Sequence, residues 1–165
     1  MGEETARFAL PFLLPGQAQK ELYHNEALAR LDAALHPAVE HAGAAVPPTN
    51  PAVGQLWVVG PSASGAWEGK ADALAAWTNG GWRFIEPQLG MLVWNKALNL
   101  WIHWTASGWS SGELPAASIK INGKKVLGNR APHVPSPSGG TVIDGEARAA
   151  VDAIIATLKS HGLID

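Results

Sequence analysis

The chain has 165 residues, 47% of them hydrophobic and 16% charged, with 12 Lys and Arg against 14 Asp and Glu, no Cys and 8 Trp. That length suits one ordinary domain or two small units joined by a linker. Near-balanced charge without a basic run argues against a phosphate-neutralising nucleic-acid surface, and the lack of cysteine excludes a disulfide framework, thiol catalysis and thiolate zinc sites.

At the N-terminus Glu3 and Glu4 stand where a secretory signal carries positive charge, and the apolar run Phe8 to Leu14 is short and broken by Pro11. No stretch approaches the ~20 apolar residues needed to cross a bilayer, so membrane insertion is not expected. Residues 16–42 have no glycine after Gly16 until Gly43 and are rich in Ala, Leu, Glu and Gln, which predicts a helix. Leu28, Leu31, Leu35, Ala38 and Ala42 recur at helical steps and form one apolar stripe, with Leu22 and Tyr23 extending it less regularly. Pro37 should kink this helix or end its regular part near Leu35. Pro47, Pro48 and Pro51 then make a stiff connector.

From Gly54 the pattern becomes short runs of Val, Ile and Trp bounded by Gly, Asn, Ser and Pro, which reads as an antiparallel β-meander. GQLWVVG, LAAWT, GWRFIEP, LVWN, NLWIHWT and GWSSG are its strands. WTNGGW at 77–82 and WTASGW at 104–109 share Trp-Thr-x-x-Gly-Trp, and a strand opening Gly-x-Leu precedes each, at Gly54 and Gly90. Each motif describes a tight hairpin whose two tryptophans meet across the strands, so 54–112 reads as two related three-stranded units. The first is enlarged by the loop PSASGAWEGKAD. Asn122-Gly123 between β-prone arms predicts a further hairpin, and NRAPHVPSPSGG an extended linker.

The tail DGEARAAVDAIIATLKSHGLID predicts a helix of about 18 residues, or about 27 Å, with Asp144 as N-cap and Gly162 as C-cap glycine. Ala147, Val151, Ile154, Leu158 and His161 follow 4-3-4-3 spacing, a heptad seam. Such a helix is marginal alone, so its seam needs a surface to bury. Docking onto the β unit and self-association both meet that need, and the spacing favours association. The expected architecture is α+β: an N-terminal arm and helix at 1–46, a Pro-rich connector at 47–53, the Trp-rich β domain at 54–112, a hairpin and linker at 113–140, and a C-terminal oligomerisation helix at 141–165.

Little in this sequence points to catalysis. His24, His36 and His41 are spread along the first helical segment, His103, His133 and His161 fall in three other elements, and none makes a metal-ligand spacing, so no metal or cofactor is expected. No P-loop or GxGxxG occurs. The acids of the Trp segment are Glu68, Asp72 and Glu86, and a hydrolase pair of Glu68 with Glu86 is the distant alternative.

The tryptophans admit two explanations. As core residues each can bury ~150–250 Å², enough for a handful to fill a small β unit. On an alternating strand, however, Leu100, Ile102 and Trp104 share one face while Trp101 and His103 take the other, and both cannot face the same core. Exposed Trp beside small polar residues suits sugar binding, because a flat ring stacks on the apolar face of a pyranose while polar groups bond its hydroxyls. Trp67, Trp101 and Trp109, near Gly-rich turns, are the candidates for that role.

LPFLLPGQAQKELYHNEALARLDAAL at 10–35 resembles the opening signature of a domain family of unknown function found in phages, prophages and gene transfer agents of alphaproteobacteria: Gly-Gln-Ala-Gln-Lys, then His-Asn-Glu-Ala-Leu and Leu-Asp. The elements GAWEG, LAAW and GGWRFIEP follow in the same order, and the resemblance covers about residues 8–105. The tail from INGKKVLG onward is similar to C-terminal segments of fibre-like proteins from the same particles. The chain departs from the family at Glu21-Leu22-Tyr23, where members carry His-Val-Thr, and the family supplies no catalytic residues. The resemblance implies a virion component of a tail fibre, tail tip or head spike, assembled in the host cytoplasm. The resulting expectation is a non-enzymatic, homo-oligomeric attachment subunit, a trimer by analogy with fibres, contacting other virion proteins and a host glycan. Leu28, Leu31 and Leu35 join the tail seam as interface candidates.

Overall fold

Strong helix formers carry the first element, α1 (Lys20–Ala34), until His36, at φ 41°, and Pro37 turn the chain out of the helix. The computed structural model describes residues 3–14, 16 and 20–165, so the expected start of α1 and the Gln17-Ala18-Gln19 part of the signature lie outside the described residues. The helix ends where the proline predicts, but its inward face does not follow the leucine stripe. Asp32 and Ala33 are its buried residues, whereas Leu31 and Leu35 are exposed and Leu28 is half-buried.

The physical reason is the N-terminal arm, which brings more hydrogen-bond donors than apolar surface to that face. The buried Asp32 carboxylate accepts from Thr5 Oγ1 at 2.7 Å, Phe8 N at 2.8 Å and Arg7 N at 3.1 Å. Arg7 reaches past it to the last carbonyls of α1 and beyond, donating to Asp32 O, to Leu35 O at 2.9 Å and to His36 O at 2.8 Å. A cation there satisfies acceptors that the helix leaves open. Burial pulls the Arg7 guanidinium below its ordinary value, and Asp32 acts in the opposite direction. Farther up the helix, Asn25 accepts from Leu13 N and donates to Leu13 O, while Glu26 pairs with Arg83 at 2.7 Å.

After Pro37 the expected continuation of the helix is replaced by two short strands, β1 (Ala38–Val39) and β2 (Ala42–Ala44). Ala38 and Ala42 are therefore strand residues and take no part in a helical stripe. Two antiparallel meanders follow: β3 (Leu56–Val59), β4 (Leu74–Thr78) and β5 (Gly81–Ile85), then β6 (Leu92–Asn95), β7 (Leu100–Thr105) and β8 (Gly108–Ser111). The sheet orders are β2-β3-β4-β5 and β1-β6-β7-β8, so the stretch 38–44 supplies a parallel edge strand to both. It meets them at matching positions, Ala42 opposite Val58 and Ala38 opposite Trp94.

The meanders repeat in register. Leu56 lies opposite Ala76 as Leu92 lies opposite His103, Trp57 opposite Ala75 as Val93 opposite Ile102, and Val58 opposite Leu74 as Trp94 opposite Trp101. The hairpins match atom for atom: Thr78 Oγ1 donates to Gly81 O at 2.7 Å and Thr105 Oγ1 to Gly108 O at 2.8 Å. Gly54 N donates to Trp77 O at 2.9 Å, and Gly90 N to Trp104 O at 3.0 Å. The main difference is the β3–β4 connection, residues 60–73, which contains the 3-10 turn Gly65–Trp67.

The core follows from the alternation. Leu56, Val58, Leu74 and Ala76, from one face of the first meander, meet Val93 and Ile102 of the second, with Val39 and Ala33 filling the same cluster. Because Trp57 and Ala75 correspond in register to Val93 and Ile102, the second sheet uses the opposite face for this contact. The two sheets thus stack in the same sense, like successive repeats. The reverse face of the first meander, with Trp57, Val59 and Ala75, is closed by Trp67.

The chain divides into two units, Met1–Leu114 and Pro115–Asp165. In the second, β9 (Ile119–Ile121) and β10 (Lys124–Leu127) form the expected hairpin, with positive φ at both Asn122 and Gly123 as its turn requires. Helix α2 (Gly145–Ser160) is capped by the Asp144 side chain, which accepts from Ala147 N at 2.9 Å. It closes in a Schellman arrangement, Gly162 N donating to Lys159 O and Leu163 N to Leu158 O. No described helix is long and apolar enough to cross a membrane.

Candidate functional site

The cross-strand pairing expected from the Trp-Thr-x-x-Gly-Trp motifs forms in both hairpins. Trp77 lies opposite Trp82 with ring centroids 4.9 Å apart, and Trp104 opposite Trp109 at 5.4 Å, both edge-to-face. A third pair, Trp94 with Trp101, packs at 5.1 Å and 75°. Such offset pairs are the arrangement the indole quadrupole favours, and each contributes about 1 kcal/mol beyond its buried area.

The three stacking candidates separate by face. Trp67 is 0% exposed and sits among Trp57 and Trp82, at 6.1 and 5.1 Å, so it is a core residue and not a stacking platform. Its environment follows from the loop 60–73, which folds Trp67 back over the first sheet; a nearby glycine in the sequence signals the turn but not its direction. Trp109 is half-buried against the core between the meanders, and its Nε1 donates to Asp72 O at 2.9 Å, so the ring fastens the second sheet to the first. Trp101 is 37% exposed, the most open of these three, while its strand neighbour Ile102 is 1% exposed. The two-faced reading of β7 therefore holds.

Around Trp101 the outer face of the second meander carries two rows. Trp94 and Trp101 form one, and Leu92, His103 and Ser110 form the other, each opposite its neighbour in register. Ser110 Oγ lies 3.1 Å from Glu113 Oε2. Trp94, His103, Ser110 and Glu113 were not among the sequence candidates, although the pairing of Trp94 and His103 with their neighbours follows from the alternation once register is known.

In the tail, Ala147, Val151, Ile154 and His161 are exposed and Leu158 is half-buried. The helix instead buries Ile155, one step off the heptad seam, while the chain end buries Ile164, which bridges to Ala131. Of the hydrolase pair, Glu68 and Glu86 are both exposed. Among the described residues no group of three or more His, Asp or Glu is placed to hold a metal ion.

These features define an α+β protein whose body is a duplicated, tryptophan-paired β-meander fastened to an N-terminal helix. The profile of the DUF2793 family, proteins of unknown function, matches residues 24–110, and the chain belongs to that family. The match contains Asn25, Glu26, Asp32 and Arg83, whose side chains hold the arm and the helix in place, as well as all eight tryptophans. No curated protein matches the chain at a significant level.

Proposed function

We propose that the chain is a non-enzymatic structural subunit of a phage or gene-transfer-agent particle, placed in a tail fibre, tail tip or head spike and engaged in host-surface attachment. The observation that carries this reading is the tail helix: a capped α2 with its 4-3-4-3 seam left open at Ala147, Val151, Ile154 and His161. An exposed seam of this spacing suits association with sister helices, as fibre subunits require. Leu31 on α1 and Leu35 just past its end offer a second exposed apolar surface, suited to sister subunits or other virion proteins. The resemblance of 10–35 and of the tail to segments of phage-like particles supports the same reading. Immunogold labelling of particles purified from the encoding host tests it. Label at the particle tip, fibre or spike is expected, and particles devoid of the chain would overturn the proposal.

A second reading, compatible with the first, is a carbohydrate-binding module for host capsule or lipopolysaccharide glycans. It is favoured by the exposed Trp101 ring beside Trp94 on an open sheet face.

A further inference from the structure

We infer that the outer face of the second meander is a binding site for a neutral pyranose, built on Trp94 and Trp101 with Ser110 and Glu113 as its polar side. This rests on the carbohydrate reading above and assigns its residues and the charge class of its ligand.

The duplication makes positions of the two meanders equivalent. In the first meander this face carries Val58, Leu74 and Ala76, which are buried beneath the second sheet and α1. The register places Trp94, Trp101 and His103 at the same three positions of the second meander. The backbone is conserved between the repeats while small aliphatics give way to two indoles and an imidazole.

Leu74 lies opposite Ile85, which packs on the core. Its counterpart beside Trp101 is Gly112, whose N donates to Trp101 O at 3.0 Å. A Cβ added there would meet the Leu100 side chain at 3.7 Å and not the indole, so no counterpart of Ile85 lies on the Trp101 ring. The Gly112 φ of 78° favours glycine at the turn that ends β8.

The chemistry of the face suits a sugar better than another protein sheet. Three strands span about 10 Å, room for a pyranose ring and its hydroxyls. The Trp94–Trp101 pair forms a corner, with one indole set at 75° to the other. Next to it, His103 Nδ1 is buried without a hydrogen-bond partner among the described residues, so it is closed to a ligand and the polar side of the site rests on Ser110 and Glu113. The Ser110 contact steadies the Glu113 carboxylate, which retains acceptor capacity for hydroxyl groups. A flat apolar sheet laid here would strip water from the Ser110 hydroxyl and the Glu113 carboxylate without offering them new partners. Glu113 carries the only formal charge in the set, and it is negative, which favours a neutral sugar over an anionic one.

The test is titration of the ¹⁵N-labelled full-length chain with maltohexaose, cellohexaose and chitohexaose, following the indole N–H resonances. The expected result is a saturable shift at Trp94 and Trp101 with at least one oligomer. Trp101→Ala should weaken that binding at least tenfold and Trp101→Phe much less, while Glu113→Gln, which removes only an exposed carboxylate, should weaken it several-fold. Shifts centred on Trp77 or Trp104, or full affinity in both Trp101→Ala and Glu113→Gln, would overturn this site and leave the carbohydrate reading standing. No response to any of the three would overturn both.

Discussion

Trp67 and Trp101 bear the same side chain, and the fold uses them oppositely because one is carried by a loop onto a closed sheet face and the other stands on an open one. Burying an indole removes ~150–250 Å² from water, about 4–6 kcal/mol at 25 cal/mol per Å². Trp67→Ala should therefore cost about 3–5 kcal/mol in urea unfolding, whereas Trp101→Ala should cost far less. A small loss at Trp67 would contradict its place in the core. Asp32 shows the same dependence on surroundings for a polar residue. Three donors converge on its carboxylate, so Asp32→Ala should lose on the order of 3 kcal/mol and Asp32→Asn, which keeps one acceptor, less. Release of the arm should also expose the bond after Arg7 to trypsin, and an unchanged cleavage rate would deny the latch. At Gly60 a Cβ would lie 2.6 Å from Gly43 O, so Gly60→Ala should force β2 away from β3 and destabilise by about 2 kcal/mol. Thermal unfolding reads that loss directly.

Elements were legible in the sequence where local chemistry fixes them. The two Trp-Thr-x-x-Gly-Trp hairpins, the Asn122-Gly123 turn and the caps of α2 each rest on residues a few positions apart whose backbone demands are strong. β1 and β2 were not legible, because strands of two and three residues show no period of their own and Ala38 and Ala42 happen to continue a helical spacing. The inward face of α1 was hidden for a different reason: counting leucines ignores an arm that arrives with a hydroxyl, two backbone N–H groups and a guanidinium. For the site, alternation identified the two faces of β7, but the burial of Trp67 and Trp109 depends on what a loop and a neighbouring sheet place over them. In α2 the seam was legible and the buried Ile155 was not, since Ile155 lies one step off the 4-3-4-3 spacing. The two neighbours make a direct test. Ile154→Asp should abolish self-association while leaving the helical circular dichroism of α2 intact, and Ile155→Asp should melt the helix. Equal effects would mean that the seam is not the associating surface.

At the scale of the whole molecule, duplication accounts for how a chain of this size disposes of its eight tryptophans. Same-sense stacking leaves each meander with one face turned to its neighbour and one turned away. In the first meander the loop 60–73 closes the outward face, and in the second Trp94 and Trp101 occupy it. Composition marked the tryptophans as unusual, and the repeat explains why most are structural while a surface role falls to one face. The open seam of α2 in the unit Pro115–Asp165 adds a surface of a different kind, suited to sister helices. The central claim is that this chain works as a homo-oligomeric attachment subunit, and multi-angle light scattering on the full-length protein at micromolar concentration tests it most directly. A particle of three times the 17.3 kDa chain mass is expected, reduced to a single chain by truncation at Gly140. A full-length protein that elutes as a monomer would contradict it.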